Sequence, residues 1–206
     1  MRVIPSCFFL LTLLSACSTG KEMMNNNPPS ELVDIQSVNP SIVIDMRYAT
    51  ENNFTGHKVY SAAVCYALPM VAEKLSRIQT QLENQGLGLK VYDCFRPKSA
   101  QKKFWELVPD ERYVANPAKG SRHTRGTTVD LTLVDKAGKE LEMPSAFDDF
   151  SEKAHRNYME CSKEAIQNRE LLERMMVNEG FEPLPTEWWH FDLIGWRSHH
   201  ELDLEF

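Results

Sequence analysis

Apolar positions outline the folded part of the chain before any single motif does. From Val71 they recur at Leu75, Ile78 and Leu82, offsets of four, seven and eleven, which is the stripe of an amphipathic helix; the glycine-containing run NQGLG then stops it. LKVYDCF, Leu89 to Phe95, reads as a strand, and Arg96 follows it directly before Pro97. A residue before proline is pushed out of the helical region and proline suits a helix's first turn, so a helix is predicted from Pro97 through Leu107, with Arg96 at the strand-to-helix corner. Within SRHTRGTTVDLTL the second half alternates, Thr128, Asp130 and Thr132 on one side and Val129, Leu131 and Leu133 on the other. Period two predicts a half-buried strand with Asp130 on its polar side, and Gly126 supplies a turn between that strand and His123.

The remaining elements follow the same logic. SIVIDMRYA, Ser41 to Ala49, predicts an early strand and ENNFTG a turn after it. A helix is predicted over about 162–178, with Ala165, Leu172, Met175 and Met176 inward and Gly180 as its stop. EPLPTEWWHFDL is too aromatic and proline-broken for a helix and predicts a closing strand. The order of elements implies an α+β fold: one domain, 31–206, with a central, mainly antiparallel sheet flanked by helices.

The first residues belong to a different pattern. Arg2 is followed by the apolar run VIPSCFFLLTLL and then LSAC, ending at Cys17. A bilayer-spanning helix needs about 20 apolar residues, so residues 1–16 read as a signal peptide. Small residues before Cys17 resemble the lipobox of bacterial lipoproteins, which implies lipidation of Cys17 and cleavage before it; an ordinary secretory leader is the other reading, and both export the domain. Acyl chains contribute about 0.8 kcal/mol per buried methylene, enough for several to anchor the chain to a membrane. STGKEMMNNNPPS, residues 18–30, then reads as a polar tether, so that 17–30 link anchor and domain. The expected location is the periplasmic side of a bacterial envelope.

Of 206 residues 42% are apolar, as one globular domain requires, and the formal charge of −6 comes with no basic stripe, which excludes nucleic acid as a partner. Removing residues 1–16 takes away one cation, Arg2, and no acid. Cys65, Cys94 and Cys161 include no CxxC pair, so a thiolate zinc site is excluded; two of them pairing, or all three remaining free, are both compatible with the sequence.

A catalytic zinc site needs three ligands drawn from histidine and carboxylate, a position for water, and a nearby carboxylate to take a proton from it. His123, Asp130, His190 and Glu187 are the candidates. Glu187 stands three residues before His190, an offset that a regular strand would send to the opposite face, so a bend is required there.

Ser121, His123, Gly126 and Asp130, in the pattern Ser-x-His-x-x-Gly-x-x-x-Asp, and Glu187, Trp189 and His190, in Glu-x-Trp-His, together resemble the zinc D-alanyl-D-alanine dipeptidases of the VanX type. RYATENNFTG, FRPKSA, FDDFSEKAH and EWWHF extend the likeness over residues 31–195. The resemblance implies a Hedgehog/D-Ala-D-Ala peptidase-like fold and one zinc ion per chain on His123, Asp130 and His190. It also implies Glu187 as general base, Arg96 as stabiliser of the oxyanion, and Tyr48, Ser121 and Asp148 as holders of the charged ends of a small D-amino-acid dipeptide. Thr128 departs from the alanine usual there. The alternatives are a D,D-carboxypeptidase trimming cell-wall stem peptides and a non-catalytic zinc-bearing binding module.

Overall fold

The computed structural model describes residues 31–206 other than Arg112, together with Met1. The leader, Cys17 and the tether lie outside the described residues. In chain order the elements are β1 (Val33–Asp34), α1 (Ile35–Val38), β2 (Val43–Ile44), β3 (Tyr66–Ala67), α2 (Pro69–Glu83), β4 (Leu87–Asp93), α3 (Lys98–Leu107), β5 (Thr128–Asp135), α4 (Lys163–Asn178), β6 (Phe181–Pro183) and β7 (His190–Leu193), with short 3-10 turns at Arg47–Ala49 and His123–Arg125 among others. Five strands form the main sheet in the order β2-β4-β5-β7-β6; β2 and β4 run parallel and every other pair is antiparallel. β1 and β3 make a separate two-stranded sheet. The class is α+β, as the element order implied.

Helix α2 forms because its apolar stripe has somewhere to go. Val71, Leu75, Ile78 and Leu82 are all buried in the core shared with Leu89 and Val91 of β4, and burying each side chain contributes roughly 1.5–3 kcal/mol. In α4 the expected Ala165, Leu172, Met175 and Met176 are buried, and Ser162 caps the helix by accepting the Ala165 N–H at 2.9 Å. Among the described residues no helix is long and apolar enough to cross a membrane.

Four expectations are corrected. The early strand is confined to β2: past Asp45, whose N–H still reaches the Val91 carbonyl at 2.9 Å, the chain coils into the turn that buries Tyr48. The helix expected at Pro97 starts one residue later, with Pro97 as its extended cap residue. The closing strand is two strands, β6 and β7, separated by turns at 184–189. And β5 is buried on both faces from Thr128 to Val134 rather than on one: Asp130 lies in the floor of a cleft, and Thr128 on the same face donates to Asp192 of β7 at 2.7 Å. The cysteine alternatives resolve to a buried disulfide between Cys65 and Cys94, with Cα atoms 5.7 Å apart, and a free Cys161.

Candidate metal centre

Strand pairing assembles the centre. Asp130 of β5 lies directly opposite His190 of β7 in the antiparallel ladder, although the two are far apart in sequence. His123 arrives on the 3-10 turn just before β5, a turn closed by Gly126 at φ 67°, a left-handed conformation that favours glycine, and a Cβ there would crowd Leu32 Cδ2 at 2.7 Å. One ligand atom from each of His123, Asp130 and His190 lies within 4.8 Å of the others, and all three residues are buried. Asp130 Oδ1 is 3.0 Å from His190 Nδ1, and Oδ2 is 3.4 Å from His123 Nε2.

The ring nitrogens facing away are held too. His123 Nδ1 is 2.8 Å from the Cys94 carbonyl, which can only accept, so the proton sits on Nδ1 and the lone pair on Nε2 points at the centre. His190 Nε2 is 3.2 Å from Asp192 Oδ1, which leaves Nδ1 as the inward nitrogen. Asp130 Oδ1 is buried without a hydrogen-bond partner. Two imidazole lone pairs and a carboxylate oxygen converging in this way fit a divalent cation of the zinc type, which takes nitrogen and oxygen ligands.

Glu187 meets the bend that its offset demanded. It lies between two turns, and the His190 N–H returns to the Glu187 carbonyl at 3.4 Å, so both side chains face the same way and Glu187 Oε2 comes within 3.5 Å of His190 Nδ1. Arg96, at the predicted corner, donates from Nε and Nη2 to Asp93 Oδ2 at 3.1 and 2.6 Å and from Nη1 to Gln101 Oε1 at 2.9 Å. Asp93 is fully buried and also accepts from Tyr60 Oη at 2.7 Å. The Arg96 guanidinium is thus fixed by three hydrogen bonds, and Arg96 lines the cleft.

The cleft measures about 410 Å³, and its lining includes the three candidate ligands, Glu187, Arg96, Ser121, Tyr48 and Asp148. Tyr48 donates to both oxygens of Asp148 at 3.1 and 3.0 Å. Asp148 holds φ at 59°, a left-handed conformation that costs a non-glycine residue about 1–3 kcal/mol, less for aspartate than for most.

Charge in the cleft is strongly perturbed. Burial, reinforced by the Arg96 and His190 cations, pulls His123 well below the usual imidazole range and keeps it neutral. For His190 burial works in the same direction, but the adjoining Asp130 and Asp192 carboxylates prevail and push it up to about 10; a metal ion bound at Nδ1 would take the place of that proton. Burial raises Asp130 and Glu187, and raises Asp148 well above the carboxylate range with help from the Asp130 charge.

Residues 29–202 match the peptidase M15 family, described as D-Ala-D-Ala dipeptidase. The chain belongs to this family. It is therefore a metallopeptidase. D-alanyl-D-alanine dipeptidase of Escherichia coli (strain K12) is 37% identical over 177 residues, covering 86% of this chain and 92% of that one. The enzyme of the same name from Enterococcus faecalis (strain ATCC 700802 / V583) is 34% identical over 171 residues, 73% of this chain and 85% of that one. Among solved structures, the LdcB LD-carboxypeptidase described for peptidoglycan recognition aligns with a TM-score of 0.47 at 17% identity, over 84% of this chain and 72% of that one.

Every residue that the sequence nominated for this M15 site lines the one cleft. Asp93, Gln101 and Asp192 escaped it. Two of these carried a signal, since Asp93 and Asp192 are acids inside the apolar strand runs VYDCF and HFDL, where a carboxylate is costly unless paired.

Proposed function

We propose that this chain is a zinc-dependent D-alanyl-D-alanine dipeptidase, splitting the dipeptide into two D-alanines. The observation that carries the reading is the convergence of His123, Asp130 and His190 around one buried point, with Glu187 and Arg96 reaching the same cleft. A zinc ion held by those three residues, one per chain, would polarise the scissile carbonyl and lower the pKa of a bound water to about 7.

The protein's own groups do the rest. Glu187, its affinity for a proton raised by burial, takes the proton of the attacking water and returns it to the leaving amine. Arg96, held charged by Asp93, offers its free N–H groups to the oxygen where negative charge develops and needs no reorganisation to do so. Asp148, whose proton affinity burial raises, would ionise as the substrate's ammonium docks beside it with Tyr48 against its far side, and Ser121 lines the same cavity for the other end.

An acid at the amino end favours a free dipeptide over a stem peptide. The test is zinc content measured beside hydrolysis of D-Ala-D-Ala and of an N-acylated analogue. Zinc at one per chain with turnover of the free dipeptide alone is expected; turnover of the blocked substrate would turn the reading to a D,D-carboxypeptidase, and zinc without turnover to a binding module.

The same proposal includes export and anchoring to a membrane through a lipid on Cys17. The leader pattern supports it, and so does the Cys65–Cys94 disulfide, since such bonds persist in oxidising compartments. An exported enzyme cannot reach a cytoplasmic pool, so its role is turnover or salvage of wall-derived dipeptide. Recovery of the full-length protein in a soluble cytoplasmic fraction would refute this.

A further inference from the structure

Two cross-strand pairs stand side by side on the β5–β7 ladder. Asp130 faces His190, and one step along, on the same face, Thr128 faces Asp192. The first pair supplies two candidate ligands. The second contains a carboxylate whose exposure is 1%, and such a group must be paired with care. It is paired three ways. Thr128 Oγ1 donates to Asp192 Oδ1 at 2.7 Å, Arg122 Nη1 donates to Oδ2 at 2.6 Å, and His190 Nε2 approaches Oδ1 at 3.2 Å.

The division of labour between the two oxygens matters. Arg122 occupies Oδ2 from the rim of the cleft, with its guanidinium lying over the Trp196 ring at 5.0 Å, and so sets the tilt of the carboxylate. The hydroxyl of Thr128 lies 2.7 Å from the same oxygen that faces the imidazole, so that oxygen is fixed in position by the strand opposite. A hydroxyl has one hydrogen to donate, and Asp192 Oδ1 is the acceptor it finds. Thr128 therefore points at the carboxylate beside His190.

We infer that Thr128, Asp192 and Arg122 form a positioning relay that fixes the ring of His190, with Nε2 protonated and Nδ1 turned to the metal. The inference rests on the reading of His190 as a metal ligand. It concerns residues argued to act through His190, with Thr128 and Asp192 set behind the ring and away from the cleft lining. Outer partners of ligating histidines fix ring orientation and tautomer, and losing one costs roughly 10–100-fold in metal affinity.

The test uses full-length protein and zinc alone, with affinity read by competition against a chromophoric chelator and the His190 ring read by its imidazole nitrogen resonances. Asp192→Asn removes the charge that accepts from Nε2 and is expected to weaken zinc binding by about 10–100-fold. Thr128→Val has the same shape without the hydroxyl; it should weaken binding by a smaller factor and shift the His190 nitrogen resonances. Thr128→Ser, which restores the hydroxyl, should recover both. Thr128→Val and Asp192→Asn proteins that bind zinc as wild type does, or that lose only thermal stability while affinity and resonances stay put, overturn the relay. Wild-type protein that takes up no zinc overturns the ligand reading itself and the relay with it, so the two failures are told apart by the wild-type titration.

Discussion

His123, Asp130 and His190 come from paired strands and the tight turn leading into them, whereas Tyr48, Asp148 and Phe150 on the facing wall come from connecting segments. On the strand side each imidazole has its outward nitrogen held: the Cys94 carbonyl for His123, Asp192 for His190. The facing wall is held by rings instead. Tyr48 packs on Phe104 at 4.6 Å and on Tyr60 at 5.6 Å between centroids, and Phe150 lies between Phe54 and Tyr113. Directional hydrogen bonds fix an atom to a few tenths of an ångström, which a metal requires; aromatic packing fixes a shape, which suffices to hold and select a small substrate. The difference separates chemistry from selection, and substitutions on the two sides should fail in different ways.

The largest effect belongs to the strand side. His123→Ala should abolish both zinc retention and dipeptide hydrolysis, and elemental analysis beside an activity assay checks it; a metal-replete, active variant would remove His123 from the centre. Glu187→Ala comes next: it should keep zinc and lose about 10²–10⁴-fold in kcat, the usual worth of a general base. Because burial raises Glu187 and only the ionised carboxylate can accept a proton, the acid limb of kcat/KM should fall above the ordinary carboxylate range and disappear in that variant.

On the facing wall, Asp148→Asn should leave zinc content unchanged and lower kcat/KM for the free dipeptide by an amount near the about 1.5–3 kcal/mol of a charged hydrogen bond. An equal loss of metal would break the contrast drawn above. Away from the cleft, Ser162→Ala should cost about 1 kcal/mol of stability by uncapping α4, with kinetics untouched. Smallest is a pH effect on stability from Glu140. Burial works against its charge, but hydrogen bonds with Tyr92 and Lys90 and the charges of Lys90 and Arg47 hold it below its usual value. A group depressed in the folded state stabilises above its unfolded pKa, and that contribution is lost as pH falls through the folded one. Glu140→Gln should therefore flatten the acid side of a plot of melting temperature against pH.

The strand side was also the more legible in the sequence. Alternation at Thr128 to Leu133 located β5, the residue before Pro97 located the corner at Arg96, and the spacing of Glu187 and His190 required the bend that the turns at 184–189 supply. These are local signals, readable within a few residues. Burial of the polar face of β5 was not readable there, because it depends on what other segments lay over that face. The partnership of Asp93 with Arg96, and of Asp192 with His190, depends likewise on side-chain direction, which pattern alone leaves open. The facing wall was legible only through resemblance, since Tyr48 and Asp148 lie far apart in the chain and meet through a turn and a left-handed backbone that no periodicity announces.

Asp130 and His190 meet only when β7, near the end of the described chain, docks against β5. A polypeptide still emerging from the ribosome has the first two candidate ligands long before the third, so hydrolytic competence arrives with the final stages of folding rather than growing in gradually. An incomplete or locally opened molecule lacks the third candidate ligand, so one strand docking serves both as closure of the sheet and as assembly of the centre.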